Sequence, residues 1–392
     1  MAPGALADVT VLDFGRYIAG PWCAALLGDL GADVIRVERR GGAEDRPVGS
    51  LNGGPDAGAL FLQVNRNKRS VARDVASPLG REAVRRLVAR ADVVVANLPG
   101  ATLRSLGLDY ESLREVKADI VLTTASAFGS GGPYEERVGF DGVAQAMSGA
   151  MHLSGWPGAP TKAGVPWVDF LTATTAAYGT LAALHHRDRT GEGQHVEAAL
   201  LRSAAIVASG ALIDQAVTGS DRGPVGNRSH VAAPYDVFPT TDGFLLVHII
   251  GGVQFARIAR LVGREEWVDD PRFGSDEARA ACADELCEGV SAWTAGRSTA
   301  AALAALEAAR IPAGPVLTPQ QLLDDPHVAG AGYLQPTAYP GVPVDAPLGT
   351  TPLRLSATPG EIRGRAPLAG EHTEAVLADL GFGADELATL LG

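Results

Sequence analysis

The chain has 392 residues, 46 % of them hydrophobic and 20 % charged, with 33 Lys plus Arg against 45 Asp plus Glu for a net charge of −12. Such a composition excludes a mainly disordered chain, and the acidic balance excludes a general nucleic-acid binder, which needs a basic face. At about 150 residues per domain, two domains are expected.

In chain order, residues 9–14 predict a short apolar strand. Gly20-Pro21 opens a helix to Leu30, with Pro in the first turn, where its missing N–H is tolerated. Gly31 caps that helix, and residues 34–38 form the next strand. Ser77-Pro78 opens an amphipathic helix to Ala91, with Val84, Leu87 and Val88 on one face and Arg81, Arg85, Arg86 and Arg90 in solvent. Residues 92–97 and 120–123 are two further apolar strands. Strands alternating with helices predict an α/β fold with a parallel sheet. Ligands bind such sheets beyond the carboxyl ends of the strands, and Arg39, Asn97 and Ser126 sit at such ends. Beyond Asp141 the pattern turns helical, with long apolar helices at 169–187 and 202–217. A Gly-, Ser- and charge-rich stretch at 218–228 reads as a linker. A second unit follows, with a strand at 244–249, an Ala-rich helix at 299–309 and a closing Ile311-Pro312-Ala313-Gly314-Pro315. After Val328 the chain is Pro- and Gly-rich and extended, and it ends in helices at 372–380 and near Ala384. The expected domains are 1–225 plus 326–392, and 226–325.

Three scattered cysteines, Cys23, Cys282 and Cys287, make no disulfide framework and suggest a reducing compartment. The first eight residues carry no basic, apolar leader. The most apolar stretches, 171–184 and 204–217, contain Thr, Tyr, Ser, Asp and Gln and fall short of a membrane span. A soluble cytoplasmic protein without nucleic-acid or membrane partners is expected.

Several residues could carry chemistry. Only three lysines occur, Lys68, Lys117 and Lys162. Arg39-Arg40, Arg46 and Asn65-Arg66-Asn67-Lys68-Arg69-Ser70 concentrate positive charge that suits either a phosphate or a solvated loop. There is no Gly-Lys-Ser/Thr phosphate loop and no G-x-G-x-x-G after the first strand. No His or Cys spacing predicts a metal; His185-His186 with His195 reads as a helix end. Cys23, early in a helix, is either a stabilised thiolate or a small buried residue. Asp169 begins an almost uncharged helix. It is either a helix cap or a functional carboxylate, because burial raises a carboxyl pKa and an interior Asp needs donors or a purpose. Gly251-Gly252 follows a strand and reads as a plain turn or a mobile lid.

Taken together these residues resemble family III CoA-transferases, the CaiB/BaiF group, nearly end to end. The likeness runs through Val11-Leu12-Asp13-Phe14, Ala19-Gly20-Pro21, Leu30 to Ile35, Val37-Glu38-Arg39 and Asn65 to Ser70. It continues through Gly139-Phe140-Asp141, Gln145 to Gly149, Pro166 to Asp169, Pro312 to Val316, Asp325-Pro326 and Gly370-Glu371-His372-Thr373.

The resemblance implies a Rossmann-like large CoA-binding domain formed by both chain ends, a smaller α/β domain, and an interlocked homodimer with residues 328–365 as a crossing strap. It implies Asp169 as nucleophile, passing an acyl group through aspartyl anhydride and aspartyl-CoA thioester intermediates between acyl-CoA and a free carboxylic acid. Coenzyme A is then a substrate, and no permanent cofactor or metal is needed. It implies CoA contacts at Ala19, Arg39, Asn65, Arg66, Lys68, Arg69 and Asn97, a supporting acid at Asp141, and a lid at Gly251-Gly252. Two departures stand out. Asn97-Leu98-Pro99-Gly100 lacks an arginine frequent in the family, with Arg104 close by as a substitute. Ile18 replaces a glutamine of formyl-CoA transferases, which argues against oxalate and formate. The fold also hosts α-methylacyl-CoA racemases. Those carry His where this chain has Phe140, which cannot move a proton, so the isomerase is the alternative. Trp22, Phe140, Trp156 and Trp167 are plausible acyl-pocket walls.

Overall fold

A computed structural model describes residues 4–51 and 58–391. The first strand, β1 (Thr10–Asp13), leads into α1 (Ala19–Asp29), then β2 (Asp33–Glu38), α2 (Ala59–Val64), β3 (Lys68–Ala72), α3 (Pro78–Arg90) and β4 (Val93–Ala96). Next come α4 (Gly100–Leu106), α5 (Tyr110–Val116), β5 (Val121–Ser126), α6 (Asp141–Met147), α7 (Trp167–Thr190), β6 (His195–Ala199) and α8 (Leu200–Val207).

The six strands form one sheet in the order β3-β2-β1-β4-β5-β6, and every pairing is parallel. Strands covered on both faces read as continuous apolar runs, and all four residues of β4 are buried. Side-chain alternation divides the core in two. Leu12, Ile35 and Val94 pack with Leu87 and Val88 of α3 and with Val376 and Leu377 near the C-terminus. Val11, Val34, Val93 and Val95 face α1 and the Ala173, Ala176, Ala183 stripe of α7. Those small residues let α7 lie close to the sheet.

The expected strands at 9–14, 34–38, 92–97 and 120–123 and the helix after Ser77 are present. Ser77 caps α3 by accepting from Gly80 N at 3.1 Å. The expected helix over 202–217 is two helices, α8 and Ser209–Thr218, parted at Ala208. No single described helix is long and apolar enough to cross a membrane.

The chain divides into two compact units. The first comprises Met1–Ser148, Ala163–Ser209 and Ala329–Gly392; the second comprises Gly149–Lys162 and Gly210–Val328. These bounds differ from the expected 1–225 plus 326–392, and 226–325, in that 149–162, 210–225 and 326–328 fall in the second unit. A small hairpin, Gly155–Trp156 with Ala159–Pro160, belongs to the second unit. Gly226 N donates to Gly155 O at 2.7 Å, and a Cβ on Gly226 would lie 2.5 Å from the Trp156 ring. Two-residue strands carry no readable periodicity, so the sequence hid this joint. The rest of the second unit centres on an antiparallel sheet, Ala313–Pro315 beside Phe244–His248 beside Tyr235–Pro239. Phe255, Ile258, Leu286, Val290 and Leu306 pack on it.

After Val328 a helix, Pro326–Ala331, is completed first, and extended strands follow as expected. Leu334–Thr337 pairs with Ala346–Gly349, and Tyr339, Leu348 and Ile362 pack on Phe61 and Leu62 of α2. Asn67 then fastens the following segment. Its Oδ1 accepts from Arg363 N and Gly364 N, and its Nδ2 donates to Glu361 O at 2.7 Å. Asn67 does this with φ of 62°, a left-handed conformation that Asn tolerates better than most residues.

Candidate active site

β1 sends the chain to β2 on one side of the sheet, while β4 lies on its other side. Where the chain departs in opposite directions from neighbouring strands, their carboxyl ends leave a crevice. A cavity of about 470 Å³ opens there, within the usual size range of small-molecule sites. Its walls come from the loop after β1 (Arg16, Tyr17, Ile18, Ala19), the segment after β4 (Asn97 to Gly100, with Arg104), the end of β5 (Ser126, Ala127), and Phe140, Asp169 and His195.

Asp169 is the third residue of α7. It is not the helix cap: Pro166 holds that position, without a side-chain cap hydrogen bond. The capping acceptor comes from another helix. Asp141, the first residue of α6, accepts from Val168 N at 2.8 Å and Asp169 N at 3.2 Å through Oδ2. Gln145, one turn along α6, donates through Nε2 to Asp141 Oδ1. Its Oε1 accepts from Ala163 N at 3.0 Å, on the segment leading into α7. Asp141 and Gln145 thus tie the start of α7 to α6. With its helix amides already satisfied, the Asp169 carboxyl is left to the cavity. Burial, with the Asp141 charge beside it, pushes its pKa up to about 7. A carboxylate held without donors is a destabilised, reactive anion once ionised.

The loop after β1 is clamped from four sides. Gly15 N donates to Asp13 Oδ1 at 2.7 Å, and Gly15 O accepts from Arg36 Nη1 at 3.2 Å. Arg16 N donates to Asn97 Oδ1, and Arg16 O accepts from Asn97 Nδ2, both at 2.7 Å. Tyr17 N donates to Asp45 Oδ2 at 3.0 Å. These bonds hold Tyr17 at φ 60°, a strained conformation for a bulky residue that surrounding structure must enforce. Its ring meets Phe140 edge-on at 5.7 Å.

The expected site residues divide sharply. Ala19, Asn97, Arg104 and Asp169 line the cavity, and Asp141 stands behind Asp169. The basic motif does not line it. Asn65 Oδ1 accepts from Arg36 and from Lys68 at 2.9 Å. Arg66 grips Asp29 through Nε and Nη2 at 3.0 and 2.6 Å, beneath the face of Trp22. Lys68 Nζ donates to Asp13 Oδ2 and Pro21 O, both at 2.7 Å, and burial draws its pKa down to about 8. Arg69 pairs with Asp33. Asn65, Arg66 and Lys68 are buried. A phosphate could reach them only by breaking these pairs, so the geometry makes them framework rather than CoA contacts. Arg39 is exposed at the end of β2, with Nε donating to Gly42 O at 2.9 Å.

Gly251 and Gly252 belong to the second unit. Gly251, at φ 82°, donates its N–H to the Asp276 carboxylate at 2.9 Å. Of the expected acyl walls, Phe140 lines the cavity. Trp22 packs in the core against Phe170, Trp167 packs beside Ala19 and Leu200, and Trp156 is in the second unit. Cys23 is fully buried, and burial raises its thiol to about 12, which removes the reactive-thiolate reading. His195 is no mere helix end: it opens β6, stacks on Tyr110, bonds Thr124 Oγ1 at 2.7 Å and lines the cavity. Sequence reasoning missed Arg16 and Tyr17, although the strand-end rule that selected Asn97 applies equally to the loop after β1.

CoA-transferase family III matches residues 6–373. A succinate–glutarate CoA-transferase of Agrobacterium fabrum is 36 % identical, over 96 % of this chain and 95 % of its own. A succinyl-CoA–D-citramalate CoA-transferase of Chloroflexus aurantiacus is 33 % identical, over 99 % of this chain and 97 % of its own. Among solved structures, a CaiB/BaiF family protein from Brucella suis superposes with a TM-score of 0.86 at 34 % identity, covering 96 % of this chain and 100 % of that one. The chain therefore belongs to the family III CoA-transferases, enzymes that move CoA between an acyl-CoA and a free carboxylate.

Proposed function

We propose that Asp169 is the covalent carrier in this transfer. One observation carries the reading: a cavity-lining carboxyl, pushed up to about 7 and receiving no hydrogen bond among the described residues, at the start of a helix whose amides another aspartate caps. The ionised Asp169 oxygen attacks the thioester carbonyl, the C–S bond breaks and CoA thiolate leaves, giving a mixed anhydride. The thiolate attacks the aspartyl carbonyl, expels the donor acid as its carboxylate, and leaves an aspartyl-CoA thioester. The acceptor carboxylate displaces CoA to form a second anhydride. The thiolate attacks the acceptor's carbonyl, releasing the new acyl-CoA and restoring the Asp169 carboxylate. Each step exchanges one acyl bond for another, so thioester energy is conserved.

Anhydrides hydrolyse, so water must be kept out. Gly251-Gly252 is the proposed lid, and its movement would require Gly251 N to release Asp276. Ala19, Asn97 and Arg104 are the proposed CoA-side residues. The donor we propose is a dicarboxylyl-CoA of the succinyl type, in line with the names of the relatives. The order β3-β2-β1-β4-β5-β6 supports a Rossmann-like assignment of the first unit. The dimer we propose is an interlocked homodimer; Tyr178, Ile206 and Val207, left 74, 71 and 60 % exposed, support an association that covers them, which sedimentation on dilution tests. We also propose a cytoplasmic location.

The test of the carrier is Asp169→Ala. Exchange of CoA between labelled acids should vanish while CoA binding persists; retained exchange refutes the assignment.

A further inference from the structure

Arg16 lines the cavity that Asp169 lines, yet its side chain is only 16 % exposed. Its hydrogen bonds go to neutral acceptors alone: Nη1 donates to Phe14 O at 3.0 Å and Gly15 O at 2.8 Å. The anions nearby are committed elsewhere. Asp13 holds Lys68 at 2.7 Å, and Asp45 holds Arg36 in a two-pronged grip at 2.7 and 2.9 Å. Among the described residues, the carboxylate left to Arg16 is Glu44, 4.0 Å from Nε and 48 % exposed. A nearly buried guanidinium without a close counter-ion is costly unless something pairs with it.

The unused part of Arg16 is specific. Nη1 is occupied, while Nε and Nη2 make no hydrogen bond among the described residues. That Nε/Nη2 edge is the fork that matches a carboxylate with two parallel bonds. This chain uses it repeatedly elsewhere, twice between buried partners. Arg66 holds Asp29 by Nε and Nη2 at 3.0 and 2.6 Å, and Arg46 holds Glu38 by the same pair at 2.9 and 2.6 Å. The backbone of Arg16 is fixed on both sides by Asn97 at 2.7 Å, so the loop does not depend on the guanidinium for its place.

We propose that Arg16 is a specificity residue that receives a second carboxylate, the one on the substrate acid that does not react with Asp169. This rests on the transferase reading of the cavity and extends it by naming the residue that selects dicarboxylic over monocarboxylic acids. An anion at Arg16 could also be a phosphate of CoA, so the test holds CoA constant and varies the acid.

Succinate and butyrate have equal chain length and differ by one carboxylate. With a fixed acyl-CoA donor, kcat/KM is measured for each acceptor in the wild type, Arg16→Gln and Arg16→Lys, alongside CoA affinity by calorimetry. The wild type should prefer succinate. Arg16→Gln should lower its succinate value by about 100-fold, the scale of a lost charged hydrogen-bonded pair, and change butyrate less than about 3-fold with CoA affinity intact. Arg16→Lys, which keeps charge but not the fork, should fall between. Equal losses for both acids, or weakened CoA binding, overturn the proposal in favour of a CoA phosphate or a role in folding. An unchanged succinate-to-butyrate ratio overturns it outright. A wild type that accepts other acids but does not prefer succinate to butyrate also overturns it, whereas a wild type that transfers CoA to no acid at all would strike at the transferase reading itself.

Discussion

Replacing Asp169 with Asn should stabilise the protein, and increasingly so as pH rises. In the folded state burial and the Asp141 charge raise the Asp169 pKa from 3.8 to about 7. In the unfolded chain it titrates at its ordinary value. Between these two values the folded state holds a proton that the unfolded state has released, so unfolding stability falls as pH increases. The sign is opposite to that of a salt-bridged aspartate. Integrated from about pH 5.5 to about pH 8.5, the loss is about 2 kcal/mol, at 1.36 kcal/mol per tenfold change in proton affinity. Asn has no proton to release, so Asp169→Asn escapes the loss. Urea unfolding of both proteins at one fixed concentration measures it. The stability gap should widen by about 2 kcal/mol across that interval and flatten above about pH 8. A gap that stays constant with pH would mean the carboxyl titrates normally, and the case for a strained, donor-free anion would be lost.

Turnover should show the same group from the other side. kcat/KM should rise with pH through about 7 as Asp169 ionises, and Asp141→Asn should move that limb to lower pH by removing the neighbouring negative charge. Asp141→Ala should also cost about 1–2 kcal/mol of stability from the lost cap, readable in the urea midpoint, with Asn retaining part of it. Arg66→Met should destabilise the fold by about 3–5 kcal/mol, because buried Asp29 is left unpaired, while the folded fraction keeps its KM for acyl-CoA. Arg104→Ala, an exposed change at the cavity, should do the reverse, with KM raised several-fold and the melting temperature unmoved.

The contrast between Arg66 and Arg104 illustrates what could be read from residue order alone. β4 announces itself as a strand apolar throughout because it is buried on both faces, and β1, β2 and β5 do so through their Val, Leu and Ile residues. β3 does not, since Lys68-Arg69-Ser70 looks solvated; its charges are met inside by Asp13 and outside by Asp33. Those partners lie 55 and 36 positions away, beyond any local pattern. For the same reason Asn65-Arg66-Asn67-Lys68 reads as a phosphate-binding motif yet serves as a joint, with Arg66 on Asp29 and Asn67 holding the returning C-terminal segment. Asp169 was legible as an odd carboxylate on an oily helix. That it is not the cap became visible only when Asp141, 28 positions earlier, took that role. Tyr17 stayed hidden because its importance lies in a clamped backbone, which side-chain identity does not advertise, and Arg16 because only the folded loop shows which edge of its guanidinium is left over.

The most direct measurement follows oxygen atoms. Turnover with an acceptor acid whose carboxylate carries heavy oxygen should deliver that oxygen into the Asp169 side chain, because the second anhydride breaks on the acceptor's side. Mass spectrometry of the peptide bearing Asp169 reads it after many cycles. Label in that carboxyl, and none in Asp141, is the predicted result. Brisk transfer of CoA with an unlabelled Asp169 would contradict the mechanism, since no route through an anhydride at this residue leaves its oxygens untouched.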